Sequence, residues 1–132
     1  MKFVLLSVDS VELIHEQVIH ANELQGRSAD KSLESTIARV NNRLAYGMIG
    51  DAFDLAAAYA AAIAQGHCFL DANKRTAFQA MDVILDLNGF QVNWCTEEAG
   101  EKIIELAQSR MDESDFGDWL RAAILHQNPA SP

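Results

Sequence analysis

The chain has 132 residues, of which 49% are hydrophobic and 22% charged, and its 10 basic and 19 acidic residues give a net charge of −9. This globular composition excludes a disordered or fibrous protein, and the acidic balance argues against direct binding to nucleic acid or to an anionic membrane surface. A chain of this length fits one compact domain, so we expect one domain over residues 1–126 and a disordered tail over residues 127–132.

The amino-terminal part predicts an apolar lead-in followed by a helix. Residues 3–6 are short and apolar and fit either a lone edge strand or a lead-in, of which we favour the lead-in. Ser7 or Asp9 can cap the helix that follows, and Gly26 is the expected site of its end. Apolar residues recur at helical spacing in between. They are Val11, Ile14, Val18 and Ala21.

A second helix and a turn-rich segment come next. The helix is expected to begin at Ser32 or Leu33 and to end at Val40, with its apolar side chains facing inward. Residues 41–51 contain two asparagines and two glycines around a few apolar residues. Such a composition suits a turn or a short hairpin, which we interpret as a flap.

The most apolar part of the chain predicts a pair of central helices. Residues 52–65 are almost entirely apolar, which is typical of a helix buried on most sides. Gly66 suits the left-handed position that ends such a helix. The partner helix is expected from about Asn73 to Asn88, and Gly89 closes it by the same device.

Two shorter helices complete the predicted fold. Thr96 can cap the first, and Ser114 or Asp115 can start the second. The predicted fold class is therefore all-α, a compact single-domain bundle of about six helices with a short flap or hairpin.

Cysteine usage and the lack of long apolar runs indicate the compartment. Cys68 and Cys95 form no CxxC pair and are too few for a disulfide framework, so we expect reduced thiols. The apolar run at the start is interrupted by Ser7 and Asp9 and is too short for a secretory signal. No run approaches the length of a membrane span. These features predict a cytoplasmic protein.

The segment His67-Cys-Phe-Leu-Asp-Ala-Asn-Lys-Arg-Thr76, which joins the two central helices, is rich in polar side chains that core packing does not need. The helix that begins near Asn73 offers unpaired N–H groups and a positive dipole end, which together bind anions. Lys74 and Arg75 are the only cations between residues 44 and 101. Two cations there oppose the dipole unless an anion binds. We therefore predict that Asn73, Lys74 and Arg75 bind phosphates.

Three other residues of this segment have predicted roles. Asp71 lies where a carboxylate beside phosphates can hold Mg²⁺. His67 titrates near neutrality and is the candidate general base. Phe69 is expected to point into the core and anchor the loop. The alternative is a structural interpretation, in which Asp71 caps the helix and His67 is an ordinary loop histidine. It is the better interpretation for any one of these residues, but not for all of the polar residues of the segment together.

The order and spacing His-x-Phe-x-Asp-Ala-Asn-Lys-Arg-Thr resemble the signature of the Doc (death on curing) toxins, a branch of the Fic superfamily. The resemblance covers nearly the whole chain and implies a compact six-helix domain. It also implies transfer of part of ATP to a hydroxyl group of a protein target. The segments that carry it outside the signature are residues 10–15, the Arg39-x-x-x-Arg43 helix, the alanine-rich helix and residues 87–90.

Two positions place the chain nearer to Doc than to the larger Fic group. The larger group has glycine at position 74 and arginine at position 78, where this chain has Lys74 and Phe78. Doc proteins share the lysine, and the resemblance then implies a kinase that phosphorylates a threonine of elongation factor Tu. By position, His67 would deprotonate the target hydroxyl and Asp71 would help hold Mg²⁺. The flap near residues 41–50 would align the target as an added strand.

The resemblance also implies a partner. Doc toxins are neutralised by an antitoxin whose carboxy-terminal segment folds as a helix into a groove of the toxin. Some Fic proteins carry an inhibitory helix of their own, but residues 109–114 depart from that pattern, and we place Glu113 on a solvated face. A separate antitoxin is the hypothesis we keep. The alternatives to a kinase toxin are an AMP transferase at the same site and a catalytically silent binding module.

One other motif has a simpler explanation. His15 and His20 nearly spell the zinc motif HExxH, but they are five residues apart. At about 100° per residue they lie roughly 140° apart around a helix, so they do not share one face. An amphipathic helix is the simpler interpretation.

Overall fold

The computed structural model describes residues 2–127, with side chains over residues 2–124. It contains six helices, which confirms the predicted all-α class. The helices are α1 (Val8–Val18), α2 (Leu33–Ala45), α3 (Ala52–Gly66), α4 (Asn73–Leu87), α5 (Thr96–Ala107) and α6 (Glu113–Gln127). Of the predicted tail, residue 127 is the last of α6, and residues 128–132 lie outside the described part. No helix among the described residues has the length and apolar character needed to cross a membrane.

Helix α3 is the centre of the fold. It packs against α2, α4, α5 and α6, with its longest contact along α4. Its alanines are almost all buried, and small side chains allow neighbouring helices to come close. The end of α3 and the start of α4 are thus fixed by the core, and the loop between them is fixed at both ends.

The amino-terminal third differs from the prediction in helix length. Ser7 caps α1 by accepting a hydrogen bond from the N–H of Ser10, as the sequence indicated. The helix ends at Val18 rather than near Gly26, because Ile19 turns to an extended conformation. Residues 19–32 form an irregular connection that contains no helix and no strand. The predicted length was wrong because an apolar pattern alone does not reveal where the chain leaves a helix.

Of the turn or short hairpin expected at residues 41–51, the structure has a turn and no hairpin. Residues 41–45 continue α2, since Leu44 follows Val40 at helical spacing and packs against the core. A turn at Gly47 then leads to Asp51, which caps α3. Within the described residues, the only β-type pairing is an isolated bridge between residues 27 and 69.

The boundaries of helices α3 to α6 confirm some predictions and contradict others. Gly89 is left-handed after α4, with φ of 97°, as predicted. Gly66 is the last helical residue of α3, and the left-handed residue is His67, with φ of 51°. Thr96 is the first residue of α5 rather than its cap, and α6 begins one residue before Ser114.

The lead-in at residues 3–6 is not a strand, in agreement with the interpretation favoured above. The side chain of Asn88 holds it along the end of α4. Its oxygen accepts a hydrogen bond from the N–H of Val4 at 2.9 Å, and its amide nitrogen donates to the carbonyl of Val4 at 3.0 Å. The N–H of Leu6 bonds the buried hydroxyl of Tyr59 at 3.2 Å. The lead-in therefore closes one end of the bundle.

Candidate active site

The loop between α3 and α4 contains two non-glycine residues in the left-handed region. His67 has φ of 51° and Ala72 has φ of 64°. This conformation costs a residue with a side chain roughly 1–2 kcal/mol, because its Cβ approaches the following carbonyl. Such strain persists only where surrounding contacts hold it, and it often marks functional sites.

Asn73 closes the loop from within. Its side-chain oxygen accepts a hydrogen bond from the N–H of Phe69 at 3.2 Å, and its amide nitrogen donates to the carbonyl of Phe69 at 2.9 Å. Phe69 itself is only 4% exposed. The ring and backbone of Phe69 are therefore both fixed, and the polar residues on either side of it keep a constant spacing.

The irregular segment of residues 19–32 lies against the outside of this loop. Ser28 donates its N–H to the carbonyl of Cys68 at 2.8 Å, and Leu70 donates to the carbonyl of Gly26 at 3.1 Å. These bonds make a short antiparallel pair with Arg27 opposite Phe69. Among the described residues, this segment, and not residues 41–50, is the flap beside the motif. Sequence reasoning missed it, because Ala21 continues the helical spacing of the apolar residues beyond Val18.

His67 is exposed at the start of the loop. Within the described part of the chain its imidazole nitrogens make no hydrogen bond, so both are free to meet a substrate hydroxyl. Cys68, the next residue, is a buried free thiol that lies 3.4 Å from the Thr36 hydroxyl. Cys95 is also free, but exposed. The two residues of the loop thus face opposite ways, one toward solvent and one toward α2.

The first turn of α4 leaves its backbone donors open. Ala72, the residue before the helix, provides no side-chain cap. Within the described residues, no hydrogen bond uses the N–H groups of Asn73, Lys74 or Arg75, whereas the N–H of Thr76 bonds the carbonyl of Ala72 at 3.0 Å. A helix start with free donors and a positive dipole end can bind an anion.

The two cations of this turn are placed differently. Lys74 is exposed, and no ion pair engages its ammonium group among the described residues. Arg75 donates to the carbonyl of Val18 at 2.6 Å and pairs with the Glu23 carboxylate of the flap segment. The hydrogen bond from Arg75 holds the pKa of the Glu23 carboxyl below its ordinary value. In this conformation Lys74 is the free cation, while Arg75 fastens the flap segment.

The side chain of Asn73 is used by the loop, so the part of Asn73 left for an anion is its backbone N–H. Asp71 is half-buried, and its Oδ1 atom accepts a hydrogen bond from the N–H of Ala72 at 3.0 Å. No group of three or more His, Cys, Asp or Glu residues that could enclose a metal occurs in the described chain. One carboxylate near a phosphate site fits Mg²⁺, which is usually held by one or two carboxylates, phosphates and waters.

An apolar cleft of 260 Å³ borders the motif between α4 and α5. Lys74 and Arg75 line its edge, and Phe78, Ile103 and Ile104 form much of its wall. Its position makes it continuous with the open first turn of α4.

Glu113 does not lie on a solvated face, contrary to the sequence interpretation. Its two carboxylate oxygens accept hydrogen bonds from Arg43 at 3.0 and 2.5 Å, which ties α6 to α2. This pairing raises the pKa of the Arg43 guanidinium. The interpretation was wrong because the Arg43 guanidinium lies opposite the start of α6, a contact between residues 70 positions apart that a local pattern does not reveal.

Comparisons with known proteins identify the family of the chain. The family model described as the Fic/DOC family matches residues 5–85, which include the motif and the flap segment. A protein of Escherichia phage P1 named protein kinase doc is 39% identical over 98 residues, which cover 74% of this chain and 77% of that protein. By the match of the family model and by this identity, the chain belongs to the Fic/Doc family.

Proposed function

We propose that this protein is the toxin of a toxin–antitoxin pair and that it transfers the γ-phosphate of ATP to a hydroxyl of a translation factor, which we expect to be elongation factor Tu. The observation that carries the proposal is the uncapped first turn of α4, where open N–H groups and the free Lys74 ammonium lie six to eight residues along the chain from His67. The name of the phage relative, protein kinase doc, supports the same reaction.

The residues divide the chemistry between them. His67 accepts the proton of the target hydroxyl, whose oxygen attacks the γ-phosphorus while the bond from phosphorus to the bridging oxygen of ADP breaks. Lys74 and the open N–H groups at residues 73–75 neutralise phosphate charge. Asp71 would hold Mg²⁺, which would neutralise further charge on the phosphates. Phosphoryl transfer needs mainly positioning and charge neutralisation, which this set provides.

Positions 74 and 78 favour phosphate transfer over AMP transfer. The Lys74 side chain occupies space that a glycine would leave for a phosphate. Phe78 cannot bind a phosphate. Its half-buried ring packs edge-on against Trp94, with the ring centroids 5.6 Å apart. A nucleotide bound as in the larger Fic group would lose one contact and meet a bulky side chain at another.

The flap segment supports strand addition as the way a target is aligned. Ser28 and Gly26 bond the motif loop, so by strand alternation the N–H and carbonyl of Arg27 point the other way. Among the described residues neither group has a hydrogen-bond partner. An extended stretch of the target can pair there and bring its hydroxyl to His67.

Labelled ATP tests the reaction directly. The protein is incubated with purified elongation factor Tu, or with cell extract, and with ATP labelled at either the α or the γ phosphate. We expect protein-bound label from the γ position only, and label from the α position alone would establish AMP transfer instead. His67→Ala should lower the rate by about 100-fold or more. Glu16→Ala, at an exposed residue of α1 with no ion pair among the described residues, is the control and should leave the rate unchanged.

The proposed antitoxin helix has a candidate site in the apolar cleft between α4 and α5. Ile104 is 43% exposed there, and the cations at positions 74 and 75 suit an acidic residue on the helix. Ile104→Glu should preserve toxicity on expression but prevent neutralisation by the antitoxin encoded beside it. Leu87→Glu, at a similarly exposed leucine at the far end of α4, should still be neutralised. Equal neutralisation of both variants would show that the antitoxin binds at another surface.

A further inference from the structure

His15 is a buried histidine that the proposed reaction does not use. It lies on α1 and is only 4% exposed. Its ring stacks on the ring of Phe69, with centroids 3.9 Å apart and planes 7° from parallel. Its Nε2 atom lies 2.9 Å from the backbone carbonyl of Asp71. One side chain of α1 therefore contacts the motif loop at two residues.

The partner of Nε2 determines which nitrogen carries the proton. A backbone carbonyl can only accept, so Nε2 must carry the hydrogen and donate it to Asp71. A neutral His15 is then the Nε2-protonated tautomer. An apolar residue at this position would leave the Asp71 carbonyl without this donor.

This hydrogen bond also determines the direction of the next N–H group. In a trans peptide the carbonyl and the N–H point in opposite directions, so a carbonyl directed at α1 turns the N–H of Ala72 away from α1. That N–H donates to Oδ1 of Asp71 at 3.0 Å. The contact with α1 thus orients a peptide plane, and the peptide plane in turn orients the Asp71 carboxylate. The left-handed conformation of Ala72 needs such a restraint.

We propose that His15 is a positioning residue that orients the Asp71 carboxylate for Mg²⁺ bound with the nucleotide. The inference rests on the proposed function of Asp71. Residues that orient a metal-binding group through a hydrogen bond commonly change metal affinity by 10–100-fold when they are replaced. His15 itself touches neither the nucleotide nor the reacting atoms.

Two substitutions separate the hydrogen bond from the stacked ring. His15→Phe keeps an aromatic ring against Phe69 but has no donor. His15→Gln loses the ring but places an amide N–H near the position of Nε2. We expect His15→Phe to weaken binding of ATP with Mg²⁺ by about ten-fold in calorimetry and to leave binding of ATP with excess EDTA unchanged. His15→Gln should remain within about three-fold of the wild type.

Nuclear magnetic resonance tests the geometry without nucleotide. The ¹⁵N shifts of His15 should report the Nε2-protonated tautomer, and the amide of Ala72 should exchange faster in His15→Phe than in His15→Gln. The Nδ1-protonated tautomer, or equal weakening of ATP binding with and without Mg²⁺, would overturn the proposal. If the wild type fails to transfer phosphate, the proposed function falls, whereas the tautomer and the exchange rates still decide the role of His15.

Discussion

An asparagine side chain holds a neighbouring segment at each end of α4, but the two segments differ in what they do. At the start, Asn73 bonds both the N–H and the carbonyl of Phe69. At the other end, Asn88 bonds both the N–H and the carbonyl of Val4. Each asparagine amide therefore holds one residue of an extended segment as a neighbouring strand would. The segment held at the start is the motif loop, and the segment held at the end is the apolar lead-in.

The ends differ in what they leave unsatisfied. The end of α4 bonds its own last carbonyls, because Asn88, Gly89 and Phe90 all donate N–H groups back to it. Its positive φ is taken by a glycine, for which the conformation costs little. The start has no side-chain cap and takes its positive φ at Ala72. Strain and free donors occur together where a ligand is proposed, and both are absent where only stability is needed.

Asn73→Ala is expected to have the largest effect. It removes two hydrogen bonds that hold the backbone of the buried residue Phe69, at a cost of about 2 kcal/mol in the free energy of unfolding. The loop residues would also shift, and a displacement near 1 Å can lower a rate by about 100-fold. Denaturant unfolding and transfer of labelled γ-phosphate measure the two effects. Full activity in this variant would show that the loop does not depend on the asparagine.

Asn88→Ala removes the same kind of contact from the other end. We expect a loss of about 1.5 kcal/mol in the free energy of unfolding, because three hydrogen bonds near the surface disappear. The transfer rate should stay within about two-fold of the wild type, since the altered end is far from His67. A large loss of activity here would contradict the division between a functional and a structural end.

Replacing the residue with positive φ at each end of α4 tests the comparison of the two ends further. Gly89→Ala places a Cβ at φ of 97° and should cost about 1 kcal/mol, although no atom lies within 4 Å of that Cβ. Ala72→Gly relieves a similar strain but gives the unfolded chain more freedom, so its net effect should be within about 0.5 kcal/mol of zero. Thermal unfolding of both variants measures the difference. A large stabilisation from Ala72→Gly would mean that the strain exceeds the usual range.

Local sequence signals predicted the central part of the fold. The apolar run of residues 52–65 and the pattern after Asn73 gave both central helices with nearly correct ends. The charged motif was found for the same reason, since polar residues between two buried helices have no packing role. These features depend on neighbours along the chain, so a single sequence reveals them.

The flap segment was not predicted because its structure depends on distant residues. The bond from Ser28 to Cys68 and the pair of Glu23 with Arg75 join parts of the chain more than 35 residues apart. The asparagines and glycines of residues 41–51 carried a stronger turn signal, which was correct at Gly47 but misleading for residues 41–45, since these continue α2. His67 was likewise missed as the left-handed residue, because Gly66 beside it is the better candidate on propensity alone.

Glu23→Gln is expected to have the smallest effect, and that effect should depend on pH. The pKa of Glu23 is lowered in the folded protein, mainly by the hydrogen bond from Arg75. Such a carboxyl stabilises the fold above its unfolded pKa, and the stabilisation is lost as the pH falls through the folded value. The variant should therefore melt at a lower temperature than the wild type near pH 7.

As the pH falls through the lowered pKa of Glu23, the difference between the two melting temperatures should shrink, because the wild-type carboxyl then becomes protonated and loses its advantage. Glu16→Gln, at an exposed carboxylate with no ion pair among the described residues, is the control and should show little difference at either pH. Because Arg75 is also released, Glu23→Gln should bind ATP at least as tightly as the wild type. Weaker binding would mean that the start of α4 binds phosphate only while the flap segment is held by Glu23. Residue 23 would then belong to the functional site.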